Sequence, residues 1–336
     1  MIRKKQEITL MFRLPKTLLM LTLACGLILT SFSQTVEATS LKLAALKFGT
    51  VKWELQTIKD LGLDRKNGFE LEVIDVAGKQ GSSLSIQNDA VDVIVTDWLW
   101  VANQRSKGQQ YQFFPYSKAV GGMLVANKSP INSLEDLKGK RIGIAGGPLD
   151  KSWIIIQAIG KKRHGLDLAK SNELVFGAPP LLFKQAMNGE IDAVINFWHY
   201  LAKLEAKGFR KVIDVQEAAG ELGLSADTPL LGYVFKEAWA KANPQAVAGL
   251  YAASREAKSI LATDDLAWEK LKTLMKPKSQ EEFIALRDAW RTGVPGQAID
   301  YSSAESMFAF MKQYGEGKLI KKDSSLDAGA FFAIKK

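Results

Sequence analysis

The chain has 336 residues, with 45 Lys and Arg against 36 Asp and Glu, two histidines and one cysteine. That length is enough for two domains with ordinary apolar cores. So few Cys and His exclude a zinc–thiolate site, an iron–sulfur centre and a histidine-rich metal site, and the basic surplus is scattered rather than gathered into a nucleic-acid-binding stripe.

Residues 1–16 carry Arg3, Lys4, Lys5, Arg13 and Lys16 against Glu7, and residues 17–30 are uncharged and largely apolar. The apolar run is shorter than the roughly 20 residues a spanning helix needs. A polar stretch ends at Val36-Glu37-Ala38, with residues a signal peptidase accepts at its two reading positions. Residues 1–38 therefore read as a cleaved secretory signal, started at Met1 or Met11, with the exported chain beginning near Thr39. Cys25 gives the competing reading of a lipoprotein, although Thr22 stands where such sites carry an aliphatic residue. Beyond residue 38 there is no cysteine, so the exported chain must be held by its core rather than by disulfides.

Strands and helices then alternate. Leu41–Leu46 reads as a strand, followed by a loop holding Trp53 and a helix through Leu55, Ile58 and Leu61. Glu70–Val76 alternates as a half-buried strand, and the turn Gly78–Gly81 leads into a helix at Ser82 or Ser83. Val91–Val95 is a buried strand, and Gly121–Ala126 a strand leaving the first lobe, interrupted by Lys128-Ser129-Pro130. Ser133–Lys140 reads as a capped short helix. Arg141–Ala145, Leu174–Phe176, Ala193–Ile195 and Lys211–Val215 are the strands of a second lobe. Leu231–Phe235 crosses back, and the chain from Glu237 onward is mostly helical. The expected division is 39–126 for the first part of lobe 1, 127–228 for lobe 2, and 229–336 for the return and the C-terminal helices. Hinges are expected at 126–130 and 228–232.

One pattern occurs twice. Asn88-Asp89-Ala90-Val91-Asp92-Val93-Ile94-Val95-Thr96-Asp97-Trp98 and Asn188-Gly189-Glu190-Ile191-Asp192-Ala193-Val194-Ile195-Asn196-Phe197-Trp198 each run from a polar turn through an acid and an apolar strand to a polar–aromatic end. Ligands of open α/β sheets sit beyond the carboxyl ends of the strands. Thr96, Asp97, Trp98, Asn196 and Trp198 are thus candidates for two walls of one cleft. The glycine turn with Gly147 and Asp150 leads into a helix whose N-terminal N–H groups favour anions, unless Asp150 caps them itself. Planar aromatic walls with Asp97 and Asp150 suit a heteroaromatic or amine-bearing solute. His199 stands without a serine or cysteine nucleophile, so packing or hydrogen bonding is expected of it rather than catalysis.

The signal, the repeated unit and the phrase Leu134–Gly147 (LEDLKGKRIGIAGG) together resemble the periplasmic solute-binding proteins of ABC importers. The resemblance is closest to the NMT1/THI5-like branch serving nitrate, sulfonates, taurine and thiamine-pyrimidine precursors. It implies a type II periplasmic-binding-protein fold: α/β, bilobal, with two crossover segments and lobes that close on a small molecule. It also implies docking on an ABC permease in the inner membrane, a monomer, and neither cofactor nor catalysis. It places Trp53 and Ser82 or Ser83 at the cleft, and Gly122 and Tyr233, on the strands leaving and re-entering lobe 1, complete the candidate set. Enzymes share this fold, among them pyrimidine-synthase-like and menaquinone-pathway-like proteins. They, and a ligand-sensing subunit without transport, are the competing expectations.

Overall fold

The computed structural model describes residues 39–296, 299–321 and 323–333. The inferred signal and Cys25 lie outside the described residues. The strands are β1 (Thr39–Leu46), β2 (Phe69–Val76), β3 (Val93–Asp97), β4 (Tyr111–Ser117), β5 (Gly122–Val125), β6 (Arg141–Ala145), β7 (Glu173–Gly177), β8 (Ala193–Asn196), β9 (Arg210–Asp214) and β10 (Leu231–Lys236). They form two five-stranded sheets, ordered β2-β1-β3-β10-β4 and β7-β6-β8-β5-β9. In each sheet the fourth strand runs antiparallel to its neighbours, and in each it is the strand nearest a crossover in the chain. This is a bilobal α/β architecture with each lobe built on one sheet.

Helices α1 (Val51–Asp60), α2 (Leu63–Lys66), α3 (Lys79–Gln87) and α4 (Trp98–Arg105) belong to the first sheet's connections. Helices α5 (Lys151–His164), α6 (Leu168–Ser171), α7 (Pro179–Met187), α8 (Trp198–Glu205) and α9 (Val215–Glu221) belong to the second. The chain then adds α10 (Glu237–Ala242), α11 (Pro244–Thr263), α12 (Asp265–Met275), α13 (Gln280–Thr292) and α14 (Tyr301–Tyr314). Among the described residues no helix is long and apolar enough to cross a membrane.

The repeated sequence unit is a repeated clamp. The Asp92 carboxylate accepts the Lys42 N–H at 2.8 Å while the Asp92 N–H donates to the Lys42 carbonyl at 2.9 Å. Asp192 does the same with Arg141, at 2.8 and 2.9 Å. The turn before each acid passes through a left-handed residue, Asp89 or Gly189, a conformation that Gly and Asp tolerate best. The acid thus pins the start of its strand to the parallel strand beside it, β1 or β6, and the far end of its strand delivers Asp97 or Asn196 to the cleft.

Two boundaries differ from the sequence expectation. Gly122–Val125 pairs with β8 and β9 in the second sheet, so the chain passes between sheets at 118–121, ahead of the expected 126–130. Strand β4 has no clear sequence signal because Pro115 interrupts it; it occupies a sheet edge, where a missing N–H is tolerated. The C-terminal part also does not stay on lobe 1. Helix α14 packs against α5 of lobe 2, whereas Phe331 and Phe332 return to β4. Arg105 there pairs with Asp327 and Glu237.

The lobes also meet through an apolar contact. Helix α13, attached through α12 to α1, packs on α8 of lobe 2. Trp198 meets Trp53 edge-on at 5.9 Å, Trp53 meets Trp268 at 5.9 Å, and Trp268 meets Trp290 at 5.2 Å. The two lobes are therefore in contact beside the cleft.

Candidate functional site

A cavity of about 200 Å³ lies between the carboxyl ends of the two sheets, several times the ~30 Å³ share of one water molecule. The end of β1 supplies Ala44, Ala45 and Leu46, and the end of β3 supplies Val95, Thr96 and Asp97. Tyr116 comes from β4, and Lys79 and Ser82 from α3. Lobe 2 contributes Asp150, Lys151 and Ser152 at the start of α5, Asn196 at the end of β8, and Phe197, Trp198 and His199 at the start of α8. Ala119, Val120 and Gly121 of the crossover close the back. A Cβ on Gly121 would stand 2.6 Å from the Asn196 carbonyl, so glycine lets the crossover backbone pass close against the end of β8.

Five helices begin at this cavity, and they differ in how their first turns are satisfied. Asp97 caps α4 by accepting the Trp100 N–H at 3.0 Å, and Asp150 caps α5 by accepting the Trp153 N–H at 3.2 Å. Helices α1, α3 and α8 start at Thr50, Gly78 and Phe197 with no side-chain cap. In α1 the Lys52 and Trp53 N–H groups bond the Gly49 and Thr50 carbonyls, and in α8 Tyr200 bonds Phe197, so among the described residues it is the first turn of α3 that keeps its N–H groups unbonded at the positive end of the helix dipole.

The charges are similarly unequal. The second oxygen of Asp97 accepts from the Lys151 ammonium at 2.9 Å, an ion pair between the lobes. Burial alone would raise the Asp97 pKa, but Lys151 overrides it and holds the carboxyl below its usual range. For Lys151 burial opposes the charge and Asp97 more than restores it. Asp150 is pushed up by burial. Lys79 is pushed down by burial and by the neighbouring Lys151. Its ammonium lies 5.1 Å over the Phe197 ring, and among the described residues it makes no salt bridge. An outer cavity of about 250 Å³, lined by Ser83, Trp100 and Leu319, shares Lys79, Thr96, Asp97 and Lys151 with the inner one. The Asp97–Lys151 pair thus partitions the two spaces.

Behind Tyr116 lies a second ion pair. The Glu54 carboxylate accepts from Tyr233 at 2.7 Å, Ser254 at 2.6 Å and Lys258 at 2.5 Å. The Lys258 ammonium also lies 4.6 Å from the centre of the Tyr116 ring. Burial raises the pKa of Tyr116 and lowers that of Lys258.

The model of a family described as NMT1/THI5-like matches residues 59–264. The chain belongs to the NMT1/THI5-like family. No curated protein matches it. Its structure is similar to that of the periplasmic aliphatic sulphonate binding protein SsuA from Escherichia coli, at 16% identity and TM-score 0.69, over 88% of this chain and 93% of that one. It is also similar to the alkanesulfonate-binding protein SsuA from Xanthomonas axonopodis pv. citri bound to MOPS, at 16% identity and TM-score 0.66, over 88% and 98%. The desulfurization enzyme DSZB shares the fold at 14% identity and TM-score 0.57, over 87% and 97%.

Within this NMT1/THI5-like protein, Ser82, Thr96, Asp97, Asp150, Asn196 and Trp198 line the inner cavity. Asn196 is nevertheless fully engaged: its amide donates to the Pro179 carbonyl at 2.9 Å and accepts the Phe197 N–H at 2.8 Å.

The other six sequence candidates lie elsewhere. Trp98 is completely buried, donates its indole N–H to the Pro229 carbonyl at 3.0 Å and packs on Phe331, so it plugs the lobe. Trp53 is on α1, behind Trp198. Tyr233 is committed to Glu54 in the core. Ser83, one step round the helix from Ser82, faces the outer cavity. Gly122 lines a small space of about 110 Å³ beyond Trp198, with Lys211 and Asp214. Gly147 and Gly146 take left-handed conformations that shape the turn, and the Gly147 carbonyl accepts the Asp150 N–H at 3.1 Å.

Lys79, Lys151 and Tyr116 were not singled out by sequence. Lys79 sits inside what reads as a glycine turn, and Lys151 reads as a local partner of Asp150 rather than of Asp97, 54 residues away.

Proposed function

We propose that the protein is the periplasmic substrate-binding component of an ABC importer, whose solute is a small organic molecule with an acidic headgroup and an apolar body. One observation carries the choice of headgroup. Lys79 is exposed, but it is the cavity-lining ammonium that makes no salt bridge among the described residues, and it opens α3, one of three helices that begin here without a side-chain cap. The carboxylates expected to attract an amine are already engaged, Asp97 by Lys151 and Asp150 as a cap. An anion at Lys79 would gain a counter-charge and helix N–H donors together. Ala44, Ala45, Val95, Val120, Leu230 and Leu231 would cover an apolar body, with Tyr116, Phe197 and Trp198 as its aromatic walls.

The mechanism is a population shift. A solute that touches both lobes only when they are closed stabilises closure by its differential affinity, and the closed form is the one an inner-membrane permease would recognise. Export through the signal at 1–38 and a monomeric state belong to the same reading. Among the described residues no hydrogen bond joins His199 to the hydroxyls of Ser82, Thr96 or Ser152 that share its cavity, which favours binding over turnover.

Native mass spectrometry of the protein recovered from the periplasm, with calorimetric titration of a panel of alkanesulfonates, carboxylates, phosphonates and amines, tests this. Acids should bind and Lys79→Met should abolish most of that binding. Selective binding of amines, or acid binding indifferent to Lys79, overturns the headgroup assignment. Chemical conversion of a bound compound overturns the binding-protein reading.

A further inference from the structure

Asp97, Asp150, Lys151 and Asn196 are each committed to a bond inside the protein, but His199 is not. It lines the cavity at the start of α8. Its ring lies 4.5 Å from that of Tyr200, 5.5 Å from Trp198 and 6.3 Å from Phe197. Nδ1 is completely enclosed and, among the described residues, has no hydrogen-bond partner. The nitrogen left to serve the cavity is therefore Nε2.

The enclosure of Nδ1 decides where the proton goes. A neutral imidazole has one N–H and one acceptor nitrogen. Placing the proton on Nδ1 would enclose a donor with nothing to receive it, and orphaned buried N–H groups are rarer than under-satisfied acceptors. Protonating both nitrogens would add a charge to the same sealed edge. Burial and the nearby Lys203 ammonium oppose that, and the pKa is pushed down to about 3. Glu282, on α13 packed against α8, turns its carboxylate to Lys203 at 3.4 Å.

We infer that His199 determines specificity by presenting a neutral Nε2–H donor to a second, uncharged acceptor on the solute. This rests on the acidic-headgroup reading above and deepens it. The solute is bifunctional, with an acid at Lys79 and a carbonyl, ether, hydroxyl or ring nitrogen at His199. A pure alkyl acid would leave the donor dry and unpaired, a situation a site built for a hydrogen bond rejects.

Two measurements on protein recovered from the periplasm test the inference. The first needs no solute. With His164→Gln leaving His199 as the chain's single histidine, nitrogen-15 NMR of the imidazole should show one neutral tautomer, protonated on Nε2, from pH 8 down to 5. A proton on Nδ1, or an imidazolium in that range, overturns this inference alone. The second compares 3-methoxypropanesulfonate with pentanesulfonate, which match in length and differ by one ether oxygen.

Wild type should prefer the ether by about tenfold, the worth of one neutral hydrogen bond. His199→Phe should erase the preference, weakening the ether and relieving the unpaired donor that pentanesulfonate meets in wild type, and His199→Gln, which keeps a donor, should restore part of it. Equal binding of the two by wild type, or a preference that survives in His199→Phe, overturns the donor assignment. Loss of both sulfonates in Lys79→Met with the NMR result intact supports both readings. Failure of wild type to bind either sulfonate counts against the acidic headgroup, and against the bifunctional solute with it.

Discussion

Glu54–Lys258 and Asp97–Lys151 are both short, sheltered lysine–carboxylate pairs, at 2.5 and 2.9 Å, but they belong to different events. The first lies wholly within lobe 1, and its carboxylate is saturated by Tyr233 and Ser254 as well. It must form when the chain folds and persists whether the lobes are open or shut. The second joins residues from opposite lobes, so opening returns both groups to water. A pair inside one lobe reports on folding, and a pair across a cleft reports on closure. Distance and burial alone do not distinguish them; the sheets they hang from do.

The largest expected effect breaks the first pair. Lys258→Met leaves Glu54 charged and enclosed, which should cost about 3–5 kcal/mol of stability. Thermal melts without solute should show it as a drop of roughly ten degrees for a chain of this size. An unchanged melt would mean that the pair contributes nothing to the fold.

Lys151→Met should behave oppositely. It removes a charged hydrogen bond of about 1.5–3 kcal/mol from the closed state alone. The expected result is a rise in Kd of about one to two orders of magnitude, mostly through faster release, with a near-normal melt of the unliganded protein. Asp97→Asn sharpens this, because asparagine still caps α4 but cannot answer the Lys151 charge. A stability loss equal to that of Lys258→Met would place both pairs in the scaffold.

The pH dependence of stability offers a third contrast. His199 has a folded pKa depressed to about 3, so its neutral, folded state is fully favoured above the unfolded value of about 6.5. That contribution is lost as pH falls from about 6.5 towards 3, at no more than about 1.4 kcal/mol per pH unit. Melting temperatures measured between pH 7 and 4.5 should fall in wild type and fall less in His199→Phe. Parallel curves would show that His199 protonates freely.

The smallest effect belongs to the apolar contact between the lobes. Trp198→Ala loses its edge contact with Trp53, worth about 0.5–1.5 kcal/mol beyond area. Titration should show a several-fold loss of affinity; a gain would mean that Trp198 obstructs the cavity rather than walls it.

The lobes were legible in the sequence because strand and turn signals are local. The repeated turn–acid–strand units mark the two inner strands, and each acid turned out to clamp the strand beside it. What stayed hidden depends on long-range partners. Strand β4 is disguised by Pro115, which its edge position excuses. Trp98 and Trp198 occupy equivalent places in the repeat, yet Pro229 draws the first into the core and Trp53 meets the second at the cleft. No periodicity distinguishes them. Lys79 reads as part of a turn because Gly78 and Gly81 flank it, whereas α3 begins at that lysine.

The C-terminal segment bears on how the lobes can move. Helix α14 docks on α5, and the chain beyond it returns to lobe 1, where Asp327 meets Arg105 and Phe331 meets Trp98. Two crossover segments alone would allow the lobes to swivel as well as bend. A belt fastened to both bodies should oppose the swivel and favour rotation about a single axis. Each shutting then brings Lys151 back to the same carboxylate and Trp198 to the same indole, so alignment is inherited from the covalent chain and need not be taught by the solute.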